Sequence, residues 1–193
     1  MASIAAIAEL LPGPGEWTEA GYYPLSDRGR LVELCDGDIE VLPWPNDFHQ
    51  LLLGRLFLAL DAYVTLHRVG RIRFAPLPVK LWLGTIREPD LMFMSTAHLD
   101  RIGKYWGVPD LAVEIVSEGG ETRDRKIKRA EYARAGIPEY WLVEPELQTV
   151  EVLRLNLETG IYDSPGSLTT ACTLTSLTFP GFSLSLAELF GPE

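Results

Sequence analysis

Cysteine is scarce in this chain. Cys35 and Cys172 are its two copies, isolated and without metal-type spacing, which excludes a disulfide framework or a zinc knuckle and fits a reduced, cytoplasmic protein. Long apolar runs are missing as well. The longest, Leu51 to Leu66, is broken by Gly54, Arg55 and Asp61 and cannot be a membrane span. The start, Met1-Ala2-Ser3-Ile4, has neither the basic residues nor the cleavage pattern of a signal peptide. No internal repeat or low-complexity tract occurs, and no Ser-His-Asp, Walker or dinucleotide glycine pattern is present. Basic residues run short: the net charge is −10, which weighs against non-specific nucleic-acid binding.

The shortage is uneven. Residues 135–193 carry one basic residue, Arg154, against eight acids, whereas Arg123 to Arg134 holds six bases and two acids. One basic face therefore remains available. At 193 residues the chain is sized for one domain with a substantial core. Residues 1–20, with Leu11-Pro12-Gly13-Pro14-Gly15, read as a short helical or loose N-terminal segment that packs loosely or covers an edge, ahead of a single domain over 21–193.

Leu31–Cys35 and Asp38–Leu42 flank Asp36-Gly37, a strong hairpin signal. Asn46 or Asp47 caps a long helix to about Gly70, with Phe48, Leu52, Leu56, Ala59, Leu60 and Tyr63 as its apolar positions. Arg71–Phe74 and Pro78–Leu83 alternate like strands, and Ser95 to Ile102 suits a helical turn. A second helix runs from about Thr122 to Ala135, closed by Gly136 and Pro138. Glu139–Val143 and Thr149–Leu155 are further strands, residues 160–182 are hairpin material, and Ser185 to Glu188 has capping-box spacing ahead of a short terminal helix. This order predicts an α/β (α+β) fold: a mixed β-sheet flanked by helices, with a β-rich C-terminal extension.

Chemistry enters through two anomalies. Asp110-Leu111-Ala112-Val113-Glu114-Ile115-Val116 reads as a strand buried on both faces, yet it contains Glu114. Pro89-Asp90-Leu91-Met92-Phe93-Met94 repeats the pattern. Buried carboxylates are costly unless partnered, so the two suggest acids converging on a cation. Hard divalent ions, Mg²⁺ or Mn²⁺, use one or two such carboxylates together with phosphate oxygens. Asp124, Lys128 and Tyr132 fall at i, i+4, i+8 along one stripe of the second helix, with Ile127, Ala130 and Ala133 as its apolar face. Plainer readings exist for each residue. Glu114 could reach solvent at a bulge, Asp90 could merely open a strand after Pro89, Lys128 could be a solvated partner of Asp124, and Glu33 could be a hairpin surface acid. His49, His67 and His98 are scattered and read as structural or surface residues.

Taken together, these segments resemble the Uma2 family of small restriction-endonuclease-like proteins, within the PD-(D/E)xK phosphodiesterase superfamily. The likeness is carried by the Glu33-Leu34-Cys35-Asp36-Gly37 hairpin, Pro89-Asp90, Pro109-Asp110-Leu111 through Ser117, Asp124…Lys128…Tyr132 and Gly136-Ile137-Pro138-Glu139-Tyr140-Trp141-Leu142-Val143. Pro180-Gly181-Phe182 to Phe190 matches too, so the likeness spans about residues 17 to 190. The resemblance implies a restriction-endonuclease-like core in which Asp90, Glu114 and the backbone carbonyl of Ile115 hold Mg²⁺ (or Mn²⁺). It further implies that Glu33 is the acid contributed by the first helix–hairpin region; in the reading adopted here Glu33 holds a metal-bound water, with Asp124 and Tyr132 in support. The lysine usual two residues after the Glu is replaced by Val116, and Lys128 is the matching relocated position.

The resulting expectation is a metal-dependent endonuclease acting on DNA, with Asp90, Glu114, Glu33 and Lys128 as the catalytic set. A homodimer is expected by fold-level analogy, with no membrane association. The alternatives are a non-catalytic binding or assembly module on the same fold and, further off, a hydrolase of smaller phosphate substrates.

Overall fold

The computed structural model describes residues 12–192; the sequence reading of residues 1–11 lies outside them. Among the described residues no helix is long and apolar enough to cross a membrane.

The chain opens with α1 (Glu19–Ser26), then the hairpin β1 (Val32–Cys35) and β2 (Asp38–Val41). Both turn residues take positive φ, Asp36 at 46° and Gly37 at 88°, as a type I′ turn requires. Residues 15–17 contact the turn of this hairpin: the Gly15 N–H donates to Asp38 Oδ1 and the Trp17 N–H to the Gly37 carbonyl. The long helix α2 spans Asp47–His67, with Asn46 Oδ1 accepting from the His49 N–H at 2.8 Å. It ends at Arg68 in the left-handed region, φ 54°.

β3 (Gly70–Phe74), β4 (Val79–Trp82), β5 (Thr85–Arg87) and β6 (Leu91–Ser95) follow, then β7 (Leu111–Ile115). After β7 the chain enters a π-helical turn over Arg123–Lys128 that runs on into α3 (Arg129–Ala135). Gly136 ends it at φ 83°. β8 (Glu139–Glu144), β9 (Thr149–Asn156), β10 (Ile161–Asp163), β11 (Ser167–Leu168), β12 (Thr173–Thr175), β13 (Ser183–Ser185) and α4 (Leu186–Phe190) complete the chain.

The large sheet has the order β10-β9-β8-β7-β6-β3, with β11 also on β9, and a smaller one the order β2-β1-β5-β4. Among the described residues, only β7 and β8 of the large sheet run parallel. A parallel pair needs a crossover, supplied here by the π turn and α3. This is the expected mixed α+β architecture. Side-chain alternation divides the large sheet into two packed faces. Leu91, Phe93, Leu111, Val113 and Ile115 pack with α2 residues Leu52, Leu56 and Leu60 and with Phe179 and Phe182. Met92, Met94, Ala112 and Val116 pack with Tyr132, Ala133 and Tyr140. Gly70 is required where β3 meets β6, because a Cβ there would stand 2.1 Å from the Met94 carbonyl oxygen.

Three sequence expectations change. Thr85–Arg87, for which the sequence suggested no element, is a strand, and Arg87 is fully buried. Ile127 is exposed, so the inward face of the second helix is the polar stripe of Asp124, Lys128 and Tyr132, each at most 2 % exposed. Ser185 precedes α4 without a side-chain capping bond.

Candidate active site

Strand register brings the two acids together. β6 and β7 are antiparallel with Leu91 opposite Val113, and one further step along the same register sets Asp90 opposite Glu114. Both line a cavity of about 320 Å³ at the carboxyl end of β7, with Ile115, Asp124, Lys128, His49 and Arg123 also in its walls. The Asp90 carboxylate is tied to the end of β7, its Oδ2 accepting from the Ile115 N–H at 2.7 Å. Its Oδ1 faces His49 Nε2 at 3.3 Å. Ile115 thus lines the cavity, and its observed contact with Asp90 is through N–H.

Lys128 reaches this point because the π turn carries it inward. Its Nζ lies 3.0 Å from Glu114 Oε1, 3.0 Å from Glu33 Oε1 and 3.8 Å from Asp124 Oδ1. Tyr132 Oη also donates to Glu114 Oε1, at 2.6 Å. Val116, which occupies the position expected of the lysine, is buried among apolar neighbours.

Glu33 sits behind this group and is not among the cavity-lining residues. Its Oε1 takes Lys128 and the Glu88 N–H, and its Oε2 takes Arg87 Nη1 at 2.9 Å. The carboxylate expected to hold a metal-bound water is thus fully buried, takes three hydrogen bonds from the protein and stands outside the cavity walls. Arg87, which the sequence reading passed over, joins Glu33, Glu40 and Glu131. It ties the small sheet to the helix that carries Lys128.

Four acids (Glu88, Asp90, Glu114 and Asp124) and two cations (Arg123 and Lys128) line the cavity, a surplus of carboxylates. Burial pushes Glu114 above the usual carboxylate range; Lys128 opposes the shift, while Asp124, Asp90 and Glu33 add to it. Asp124 is raised by burial too, against the pull of Lys128 and Arg123. Glu33 goes the other way: burial would raise it, but Lys128 and Arg87 hold it low. Burial and the nearby Glu33 push Glu88 up to about 7, and Glu88 Oε2 has no hydrogen-bond partner among the described residues. Burial disfavours the Lys128 ammonium, yet Glu114, Glu33 and Asp124 together keep it charged well past its ordinary range.

A hard divalent ion fits this donor chemistry. Glu114 Oε2 makes no hydrogen bond among the described residues, Asp90 offers Oδ1, and an added positive charge would offset the excess of carboxylates. Among the described residues no three His, Cys, Asp or Glu side chains stand close enough to hold an ion by themselves. The fit is thus to an ion that keeps several waters, as Mg²⁺ does, and not to a closed cage.

His49 is the cavity residue that sequence reading missed. It is 7 % exposed and lies on the buried stripe of α2 with Leu52, Leu53, Leu56 and Leu60. The signal was available: it precedes Leu52 by three and Leu53 by four, the spacing of one helix face.

A family profile described as Uma2, putative restriction endonuclease, matches residues 20–187. The crystal structure of a protein described as a putative nuclease belonging to DUF820, from Anabaena variabilis ATCC 29413, has a TM-score of 0.70. The match covers 98% of both chains at 16% sequence identity, a likeness of fold. Among curated proteins, none matches.

Proposed function

The chain belongs to the Uma2 family of restriction-endonuclease-like proteins, and from that premise we propose that it is a divalent-metal-dependent phosphodiesterase that cuts DNA. One observation carries the reading. A buried lysine rests on a carboxylate that shares its cavity with a second acid, at the end of a central strand.

Asp90 and Glu114 would hold Mg²⁺ or Mn²⁺, with Ile115 supplying a backbone oxygen. When bound, such an ion supplies a Lewis acid for a phosphate oxygen and lowers the pKa of water. Lys128 keeps a permanent positive charge beside Glu114, placed to offset the charge that builds on a phosphate in the transition state. Glu33 is a positioning residue: it fixes the ammonium from behind, as Arg87 fixes Glu33. Tyr132 orients Glu114 through its hydroxyl, and Asp124 adds a carboxylate to the same wall. Pro43, Pro45 and Trp44 also line the cavity, and Trp44, 81 % exposed, offers a side chain on which a nucleobase can stack.

The test is cleavage of plasmid and oligonucleotide DNA with Mg²⁺ or Mn²⁺ by the native chain, Asp90→Ala and Glu114→Ala. Activity confined to the native chain is expected; equal activity in all three refutes the assignment.

One observation favours a second reading, a non-catalytic binding or assembly module. The Lys128 ammonium is already surrounded by Glu33, Glu114 and Asp124. Calorimetry separates the two, because the module reading requires no heat of divalent-ion binding at millimolar metal.

A further inference from the structure

The cavity has walls of two kinds. Asp90, Glu114, Asp124, Arg123 and Lys128 bring charge from the start of β6, from β7 and from the π turn. Leu31, Leu42, Pro43, Trp44, Pro45 and Pro76 bring apolar surface from the segments that flank the β1–β2 hairpin and from the link between β3 and β4. A hydrated ion and a phosphate have no use for the second kind. Trp44 is its extreme member, 81 % exposed and yet held on a stiff segment. Pro43 fixes its own φ, and Pro45 keeps Trp44 out of the helical region. Little further ordering is then needed to receive a ligand.

DNA offers a matching apolar surface in the faces of its bases. In a duplex those faces lie on one another, and only base edges show in the grooves. A base meets such a wall when its nucleotide is unpaired, or after it has been drawn from the stack at a cost. The cavity, about 320 Å³, lies near the lower bound of small-ligand sites, about 300–1,000 Å³, which suits one nucleotide and not a length of duplex. Charge points the same way. Affinity for paired DNA comes largely from neutralised phosphates, but the chain carries a net −10. Of the two cations lining the cavity, Lys128 is ringed by Glu33, Glu114 and Asp124, and Arg123 has Asp124 at 3.4 Å. Stacking must therefore supply what phosphate contacts do not.

We infer that the apolar wall receives the base of an unpaired nucleotide, so that the chain selects single-stranded DNA, or an unpaired stretch within a duplex, over fully paired DNA. The inference rests on the reading of the cavity as a phosphodiesterase centre. The base stacks on Trp44. Gln50, exposed near the start of α2 and lining the same cavity, has an amide that can donate to and accept from a base edge.

The experiment is a binding titration of the full chain against one end-labelled oligonucleotide, alone and fully paired with its complement, read by fluorescence anisotropy. Ca²⁺ replaces Mg²⁺, and a gel checks that the strands stay whole. The single strand is expected to bind about tenfold or more tightly than the duplex. Trp44→Ala should weaken single-strand binding about 5- to 150-fold and leave duplex binding unchanged, while Trp44→Phe, which keeps a ring to stack on, restores most of the affinity. A duplex bound as tightly as the single strand overturns the inference. So does a Trp44→Ala loss shared equally by both forms, or no binding of either. Cleavage with Mn²⁺ separates this inference from the one beneath it. Paired DNA cut as fast as single-stranded DNA removes the base site and leaves the phosphodiesterase standing. Strand-selective binding that depends on Trp44, with no DNA cut in any form, upholds the base site and removes the phosphodiesterase.

Discussion

Glu114 and Glu139 are buried acids on neighbouring parallel strands, β7 and β8, and their surroundings differ in kind. Glu139 accepts from neutral donors on every side: Trp141 Nε1 at 2.6 Å, the Leu177 and Thr178 N–H groups and the Thr178 hydroxyl. That carboxylate is a fastener, joining the sheet to the chain that leads into β13. Glu114 has like-charged neighbours, a lysine and a cavity instead. Burial alone does not mark a functional carboxylate. A buried acid set among like charges on the wall of a cavity is the better indicator.

The comparison can be broken most severely at the cavity. Asp90→Ala and Glu114→Ala should reduce metal-dependent DNA cleavage below detection while the circular dichroism spectrum stays native. Lys128→Met comes next, with a loss of about 10²–10³-fold in cleavage rate and calorimetric ion binding retained. Glu139→Ala should invert the pattern. It strands several buried donors, so denaturant titration should show a loss of about 2–4 kcal/mol, with ion binding in the surviving folded protein unchanged. Gly70→Ala should destabilise by about 1–3 kcal/mol or more through its clash with the Met94 carbonyl and leave ion affinity alone.

The smallest effect belongs to a half-buried counterpart of the Glu114–Lys128 pair. Burial would raise Glu19, but Lys80 Nζ at 2.8 Å and the Gly84 N–H hold it below its ordinary value. Lys80→Met should cost under about 1 kcal/mol. Because the folded-state value is the lower one, this contribution is present above the unfolded-state value and is lost as the pH falls through the folded-state value. Urea titrations of the two proteins should therefore converge at acid pH.

Much of this was written in local patterns. Asp36-Gly37, the Asn46 cap, Gly136 and the apolar run around Glu114 each determine a piece of structure within a few residues, and each piece is where its pattern puts it. The pairing of Asp90 with Glu114 was suggested by two like interruptions in neighbouring strands. Residues whose environment is assembled from distant segments were not legible. Arg87 is recognisable as a hub only when Glu33, Glu40 and Glu131 are seen to converge from β1, β2 and α3. The inward side of the second helix was misread because its apolar side was assumed to pack inward, whereas the polar stripe of Asp124, Lys128 and Tyr132 is the buried one. His49 was taken as scattered because histidine was weighed against other histidines and not against the leucines beside it.

The π turn after β7 has a consequence for how the chain tolerates change. Each residue of an ordinary helix advances the side chains by about 100°, and a wide turn of this kind amounts to one residue inserted into the regular winding. Deleting one residue between Arg123 and Lys128 would let the segment rewind as a plain helix and swing the ammonium out of line with the end of β7. Helical content and overall shape would survive such an edit, so a chain shortened here by a single codon could pass as intact while its chemistry was silent.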